Sequence, residues 1–160
     1  MPDVAKFFNV DETQLSELEM GICLKKNNLN VYILPFLKQE DYDMLLACCD
    51  LNFVRGEDSW IRAIWANKPF IWQPYLQSEK THLTKLKAFL DHFYSNADSQ
   101  TKQLIDDIHH AWSTGSITTT IWEQYLDQLP AIKQLTSSKT SQLAELPDLV
   151  SKLVIFLQKI

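Results

Sequence analysis

Glycine is scarce in this sequence, three residues in 160, so backbone conformations that only glycine tolerates are confined to a few places. Apolar runs are short: none approaches the roughly 18–20 residues that cross a bilayer, and no membrane-spanning segment is expected. The opening residues, MPDVAKFFNVDE, lack a basic region followed by an apolar core. No secretory signal is read there, and the cytoplasm is the expected location. Cysteine is sparse too. Cys23, Cys48 and Cys49 suit a reducing compartment, and the adjacent pair points in different directions on a helix, which favours buried free thiols over a disulfide framework. A basic excess is missing: the formal net charge is -5, which excludes a general nucleic-acid-binding surface. An anionic ligand would have to be held by a few well-placed donors against that overall field. His109 and His110 are helical neighbours that cannot both face one ion, and no partner is spaced suitably, so no metal site is expected. What is present, 46% hydrophobic and 22% charged residues, is the composition of a globular chain long enough for one domain with a real core.

Residues 1–30 are weakly patterned, with residues 11–21 fitting a short helix and Asn27-Asn28 a turn. Residues 30–34 read as a strand stopped by Pro35, and residues 41–49 as a helix with Tyr42, Leu45, Leu46 and Cys49 at helical spacing. A strand at 51–54, a polar turn, a helix carrying Trp60, Ile61, Ile64 and Trp65, and a strand at 69–72 follow. This alternation predicts an α/β unit whose three strands form a narrow parallel sheet with right-handed crossovers. After Pro74 the pattern becomes helical. Residues 79–94 carry an apolar stripe of Leu83, Leu86, Leu90 and Phe93; Leu104, Ile105, Ile108 and Trp112 mark another helix. A third helix, Ile121 to Leu129, is closed by Pro130; residues 136–141 read as a polar linker, and residues 147–160 as a helix apolar over much of its circumference. The tryptophans at 60, 65, 72, 112 and 122 follow apolar periodicity and are expected in the core.

The turn Arg55-Gly56-Glu57-Asp58-Ser59 sits at the carboxyl end of the second strand, where open parallel sheets gather ligands. Asp58 or Ser59 is the expected N-cap of the next helix. The helix start offers free backbone N–H groups to a phosphate, Gly56 would allow close backbone approach, Arg55 would grip two oxygens at once, and Ser59 would donate a hydroxyl. Glu57 and Asp58 fit less easily, because carboxylates repel phosphate. Two readings stay open from spacing alone: a plain N-cap with an Arg–Glu ion pair, or an anion site in which one carboxylate caps or acts elsewhere. Phe36 and Gln39, in the loop after the preceding strand, add the aromatic ring and amide that a nucleotide base needs.

The run Asp41-Tyr42-Asp43-Met44-Leu45-Leu46, then Cys49-Asp50-Leu51-Asn52-Phe53-Val54-Arg55-Gly56-Glu57-Asp58-Ser59, Arg62-Ala63 and Trp65-Ala66, resembles the EarP family of protein-arginine rhamnosyltransferases that modify elongation factor P. Pro69-Phe70, Trp72, Gln77, His82, Lys85-Leu86 and Ala88-Phe89-Leu90 continue the likeness to about residue 90. The resemblance implies a GT-B fold, with this chain as the Rossmann-like carboxyl-terminal domain that binds dTDP-β-L-rhamnose, and inverting transfer of the sugar to an arginine side chain. It implies that Phe36 and Gln39 contact the base and its sugar, that Arg55, Gly56, Asp58 and Ser59 hold the diphosphate, and that Glu57 is a catalytic residue near the reacting centre. No metal and no cofactor are expected. For His82 the expected role is packing or hydrogen bonding rather than catalysis.

Residues 1–30 do not match the family's amino-terminal glycine-containing loop with its acceptor-side aspartates. The expected organisation is therefore a poorly matched lead-in over 1–30, a β/α core over 31–75 and a mainly helical part over 79–160, without the amino-terminal acceptor domain. Expected partners are the dTDP-β-L-rhamnose donor, elongation factor P and a separately encoded amino-terminal half. The rival expectation is a non-catalytic gene fragment or interaction module, inert without that domain.

Overall fold

The computed structural model describes residues 2–10 and 22–158; the helix expected over 11–21 lies outside the described residues. The chain forms two compact units, Met1–Tyr42 and Asp43–Ile160.

In the first unit, α1 (Pro2–Phe8) precedes an antiparallel hairpin of β1 (Ile22–Lys26) and β2 (Leu29–Ile33). Asn27 takes a positive φ of 54° at the turn, a conformation asparagine tolerates better than most residues. The hairpin corrects the expected three-stranded parallel sheet: the strand read at 30–34 pairs with β1, not with the strand at 51–54. Strand β1 was not read from the sequence, because Cys23-Leu24-Lys25-Lys26 lacks an apolar alternation. Lys26 ties the hairpin to α1, its ammonium 2.8 Å from the Phe7 carbonyl oxygen and 4.0 Å from the Phe7 ring centroid.

Helix α2 (Gln39–Cys48) leads into the second unit, which is built on a parallel pair, β3 (Asn52–Arg55) and β4 (Phe70–Gln73), joined through α3 (Glu57–Trp65). Val54 is paired with Trp72, and Phe53 with Ile71, so the two faces of the sheet carry different side chains. On one face Trp72 stacks on Trp60 of α3 with centroids 4.2 Å apart and meets the Phe89 ring edge-on at 5.4 Å. On the other, Phe53 lies 4.5 Å from the Trp112 ring and 5.9 Å from Trp122. The first face is buried, whereas the second is only partly covered, with Phe53 and Trp112 still exposed. Phe89 belongs to α4 (Thr81–Phe93), Trp112 to α5 (Ser99–Thr114) and Trp122 to α6 (Thr119–Asp127). The amide of Asn52, a buried polar residue, donates to the Leu46 carbonyl at 2.9 Å and locks the start of β3 to the end of α2.

Two expectations fail in the helical part. Pro130 does not close a helix; it sits in the first turn of α7 (Leu129–Ala144), where its missing N–H costs nothing. The residues read as a linker, 136–141, are inside α7, with Thr136 and Thr140 buried. Thr140 donates to the Ile64 carbonyl at 3.1 Å, and Thr136 faces the Tyr94 hydroxyl at 3.5 Å. Hydroxyls that look like loop composition thus join α7 to the core. The thiols are free, but Cys48 is exposed and Cys23 and Cys49 are half-buried, so the expected burial is not met. Trp72 is buried as expected, whereas Trp65 and Trp112 are exposed. The last helix, α8 (Leu149–Leu157), leaves Leu149, Val150, Leu153, Val154, Ile155 and Phe156 exposed. No described helix is long and apolar enough to cross a membrane.

His109 and His110 occupy opposite environments on α5, the first buried and the second exposed. His109 Nδ1 lies 2.8 Å from the Ile105 carbonyl, and burial pushes its pKa down to about 4 from an ordinary 6.5. The neutral ring is the folded form. Its contribution to stability is full above about pH 6.5, is lost as the pH falls towards 4, and amounts to about 3 kcal/mol. Urea unfolding across that interval should show stability falling towards acid, and a shallower fall in His109→Phe. Parallel profiles would show that His109 is not held neutral.

Candidate functional site

The polar turn is built around Gly56. Its φ of 80° and ψ of -179° belong to a region open essentially to glycine alone. Its N–H donates to the Gln73 carbonyl at 3.1 Å, continuing the parallel ladder past Arg55, and its own carbonyl accepts from the buried Trp72 indole N–H at 2.9 Å. A Cβ at this position would stand 2.6 Å from the Tyr75 ring. What approaches the glycine closely is therefore the Tyr75 ring, on the segment just after β4.

Gly56 is also the N-cap of α3, and it provides no side-chain cap. This corrects the expectation that Asp58 or Ser59 caps the helix: both lie inside its first turn, after Glu57. The first N–H groups of a helix have no intrahelical acceptor, so α3 presents donors and a partial positive charge at the carboxyl end of β3. Arg55 is the last residue of β3, and its guanidinium carbon lies 5.5 Å from the Tyr75 ring centroid, over its face. The half-buried Ser59 sits on the same helical turn.

The two carboxylates each have a cation, and neither is Arg55. Glu57 Oε1 accepts from Lys85 Nζ of α4 at 2.6 Å, which holds the Glu57 carboxyl below its usual range. Asp58 accepts from Arg62 Nε at 2.8 Å, one turn along α3. Arg62 also donates through one terminal nitrogen to Asp43 of α2, at 2.7 and 2.9 Å. These bonds, to Asp58 first and Asp43 second, raise the guanidinium's pKa further. The Arg–Glu ion pair left open by the sequence is not formed. The charges that would repel an anion are instead engaged by Lys85 and Arg62, and Arg55 keeps its place on the ring.

The helix that carries Lys85 is itself fixed at its start. His82 is buried, and its Nδ1 accepts from the Gln77 backbone N–H at 3.3 Å, a hydrogen-bonding role as the sequence implied. Thr81 Oγ1 donates to the Ser78 carbonyl at 2.7 Å, and Leu86, Leu90 and Phe93 are buried on the same helix. Phe36 and Gln39 stand in the first unit, Phe36 with a fully exposed ring between β2 and α2, and Gln39 as the first residue of α2. The structure thus brings together Arg55, Gly56, Glu57, Asp58 and Ser59, while the other two expected site residues are described with their own unit. Lys85, Arg62, Asp43 and Tyr75 were missed as site residues. Lys85 stood inside a family-like motif, but no spacing marked it as the partner of Glu57. Among the described residues no three metal-ligating side chains cluster.

A family profile described as Elongation-Factor P (EF-P) rhamnosyltransferase EarP matches residues 2–158. The chain belongs to the EarP family. It is similar to a protein-arginine rhamnosyltransferase of Pseudomonas aeruginosa, 38% identical over 146 residues, which are 91% of this chain and 39% of that protein. A protein-arginine rhamnosyltransferase of Shewanella oneidensis is 36% identical over 141 residues, covering 87% of this chain and 36% of the relative. A solved structure, from work on the structural basis for EarP-mediated arginine glycosylation of translation elongation factor EF-P, superposes with a TM-score of 0.81 and 29% identity. That likeness covers 99% of this chain and 48% of the other. The chain therefore spans less than half the length of these EarP relatives.

Gly56→Ala should cost about 2 kcal/mol from the backbone conformation alone and should also push the Tyr75 ring off Arg55. In a Tyr75→Ala background only the backbone part should remain. Urea unfolding of the four variants in this cycle checks it, and an equal cost of Gly56→Ala in both backgrounds would show that the ring yields freely.

Proposed function

We propose that this chain is the donor-binding part of a protein-arginine rhamnosyltransferase, and that the turn after β3 holds the diphosphate of dTDP-β-L-rhamnose. The observation that carries the reading is the α3 start: uncapped N–H groups, an arginine beside them, and both neighbouring carboxylates engaged by other cations. Family membership supplies the class of reaction, and the GT-B arrangement and the identity of the donor rest on the resemblance. In this reading Arg55 and the backbone at Gly56 to Ser59 take the phosphates, with Asp58 fixed by Arg62 at the helix start. Phe36 and Gln39 are assigned to the nucleobase and its sugar from sequence. Glu57 stands at the edge of the anion cradle and is assigned to the reacting sugar.

The chemistry is a direct displacement. A guanidine nitrogen of an elongation factor P arginine forms the new bond to the anomeric carbon, and the bond to the diphosphate oxygen breaks with its electron pair leaving on dTDP. Arg55 and the helix N-terminus stabilise that growing negative charge. A protonated guanidinium is a poor nucleophile, so a carboxylate must orient it and take its proton; this acceptor-side base is assigned to a part of the enzyme outside this chain.

Activity is therefore proposed to need a longer assembly, and two observations support that. The chain spans 39% of its Pseudomonas aeruginosa relative, and α8 leaves an apolar surface exposed that a further domain would cover. The second reading, a binding module inert by itself, rests on the same two observations. Titrating dTDP into the purified chain, followed by tryptophan fluorescence, should show saturable binding that Arg55→Ala weakens at least about tenfold. No binding at millimolar dTDP in a folded sample would sink the site assignment. In a transfer assay the chain alone should not modify elongation factor P, and addition of a separately encoded amino-terminal half should restore transfer. Transfer by the chain alone would overturn the need for a partner domain.

A further inference from the structure

Lys85 combines several features that a surface lysine does not usually share. It lies on α4, whose first turn is fastened by the His82–Gln77 and Thr81–Ser78 hydrogen bonds. Its ammonium sits 2.6 Å from Glu57 Oε1 and 5.7 Å from the centroid of the buried Trp72 ring. Trp72 in turn holds the Gly56 carbonyl. One lysine is thus anchored by the same aromatic residue that fixes the turn, and it reaches across from a different helix to the first residue of α3.

A glutamate at the first helical position, beside a glycine cap with no side chain of its own, is placed to turn onto the free N–H groups of the helix start. There it would occupy the donors that an anion needs. Lys85 gives the carboxylate another partner and cancels its charge next to the cradle.

We propose that Lys85 is a positioning residue for Glu57: it holds the carboxylate through Oε1 and screens its charge beside the α3 N-terminus, so that the diphosphate of the donor can bind there. The proposal deepens the donor-site reading and rests on it. Lys85 acts through Glu57 rather than on the phosphate. Removing the lysine exposes a repulsive carboxylate, and removing that carboxylate as well takes the repulsion away.

The test is a cycle of four chains, unaltered, Lys85→Met, Glu57→Gln and the double variant, each titrated with dTDP. The Glu57 side-chain carboxyl is followed by NMR as pH is lowered. In Lys85→Met the Glu57 carboxyl should titrate at a higher pH than in the unaltered chain, and dTDP affinity should fall about fivefold. The double variant should recover affinity to within about twofold of Glu57→Gln. Lys85→Arg, which keeps the charge, should bind nearly as the unaltered chain does. Both side chains are partly exposed, so these variants should fold. Weakening by Lys85→Met that Glu57→Gln does not rescue would overturn the proposal in favour of direct phosphate contact. Unchanged dTDP binding in Lys85→Met, or an unchanged Glu57 titration, would overturn the Lys85 role alone. Failure of the unaltered chain to bind dTDP would overturn the donor-site reading and this role with it.

Discussion

The site depends on the backbone of Gly56, held in a conformation that side-chain-bearing residues rarely adopt. Three contacts keep it there: the ladder bond to Gln73, the indole bond from Trp72 and the covering ring of Tyr75. The Trp72 bond matters most, because it joins the turn to the core. Trp72 is fully buried, stacked on Trp60 and edged by Phe89, so the turn cannot move without disturbing the aromatic packing between β4, α3 and α4. A rigid backbone at this point fixes where the N–H groups of α3 aim. Preorganised donors of this kind bind anions without first being ordered.

Around that backbone, the electrostatics resolve a conflict present in the primary structure. A chain of net charge -5 places two acidic residues beside the point where an anion would bind. Each is neutralised locally, Glu57 from α4 and Asp58 from within α3, with Asp43 of α2 sharing the same arginine. These pairs are exposed or half-exposed, and such pairs add little to folding stability. Their effect is on the local field: the engaged carboxylates no longer dominate the helix start, and Arg55 is left facing Tyr75.

Several elements were legible in advance. The helices α4, α5 and α6 follow their apolar spacing, and β3, α3 and β4 appear in the order read, with a parallel pair at their centre. The errors have a common origin. The hairpin strand β1 carries two lysines in succession and no alternation, and β2 reads identically whether it pairs with a neighbour in sequence or with β3. Pairing is a property of two segments, and a single segment's pattern does not state its partner. The threonines of α7 resemble linker composition because their hydroxyls are polar; in the fold they bond the Ile64 carbonyl and face Tyr94.

The sequence alone determined the family, through the long uninterrupted run from Val54 to Ser59 and the motifs around it. It also determined that a glycine-containing turn lies where a strand feeds a helix, since apolar periodicity and residue type are local properties. Only the tertiary structure decided who compensates whom. Lys85 and Glu57 are 28 residues apart, and Arg62 and Asp43 are 19 apart; charges at such separations meet only because β4 and α4 return to the start of α3 and α2 lies alongside it. Coulombic pairing depends on distance in space, which sequence spacing beyond one helical turn does not encode.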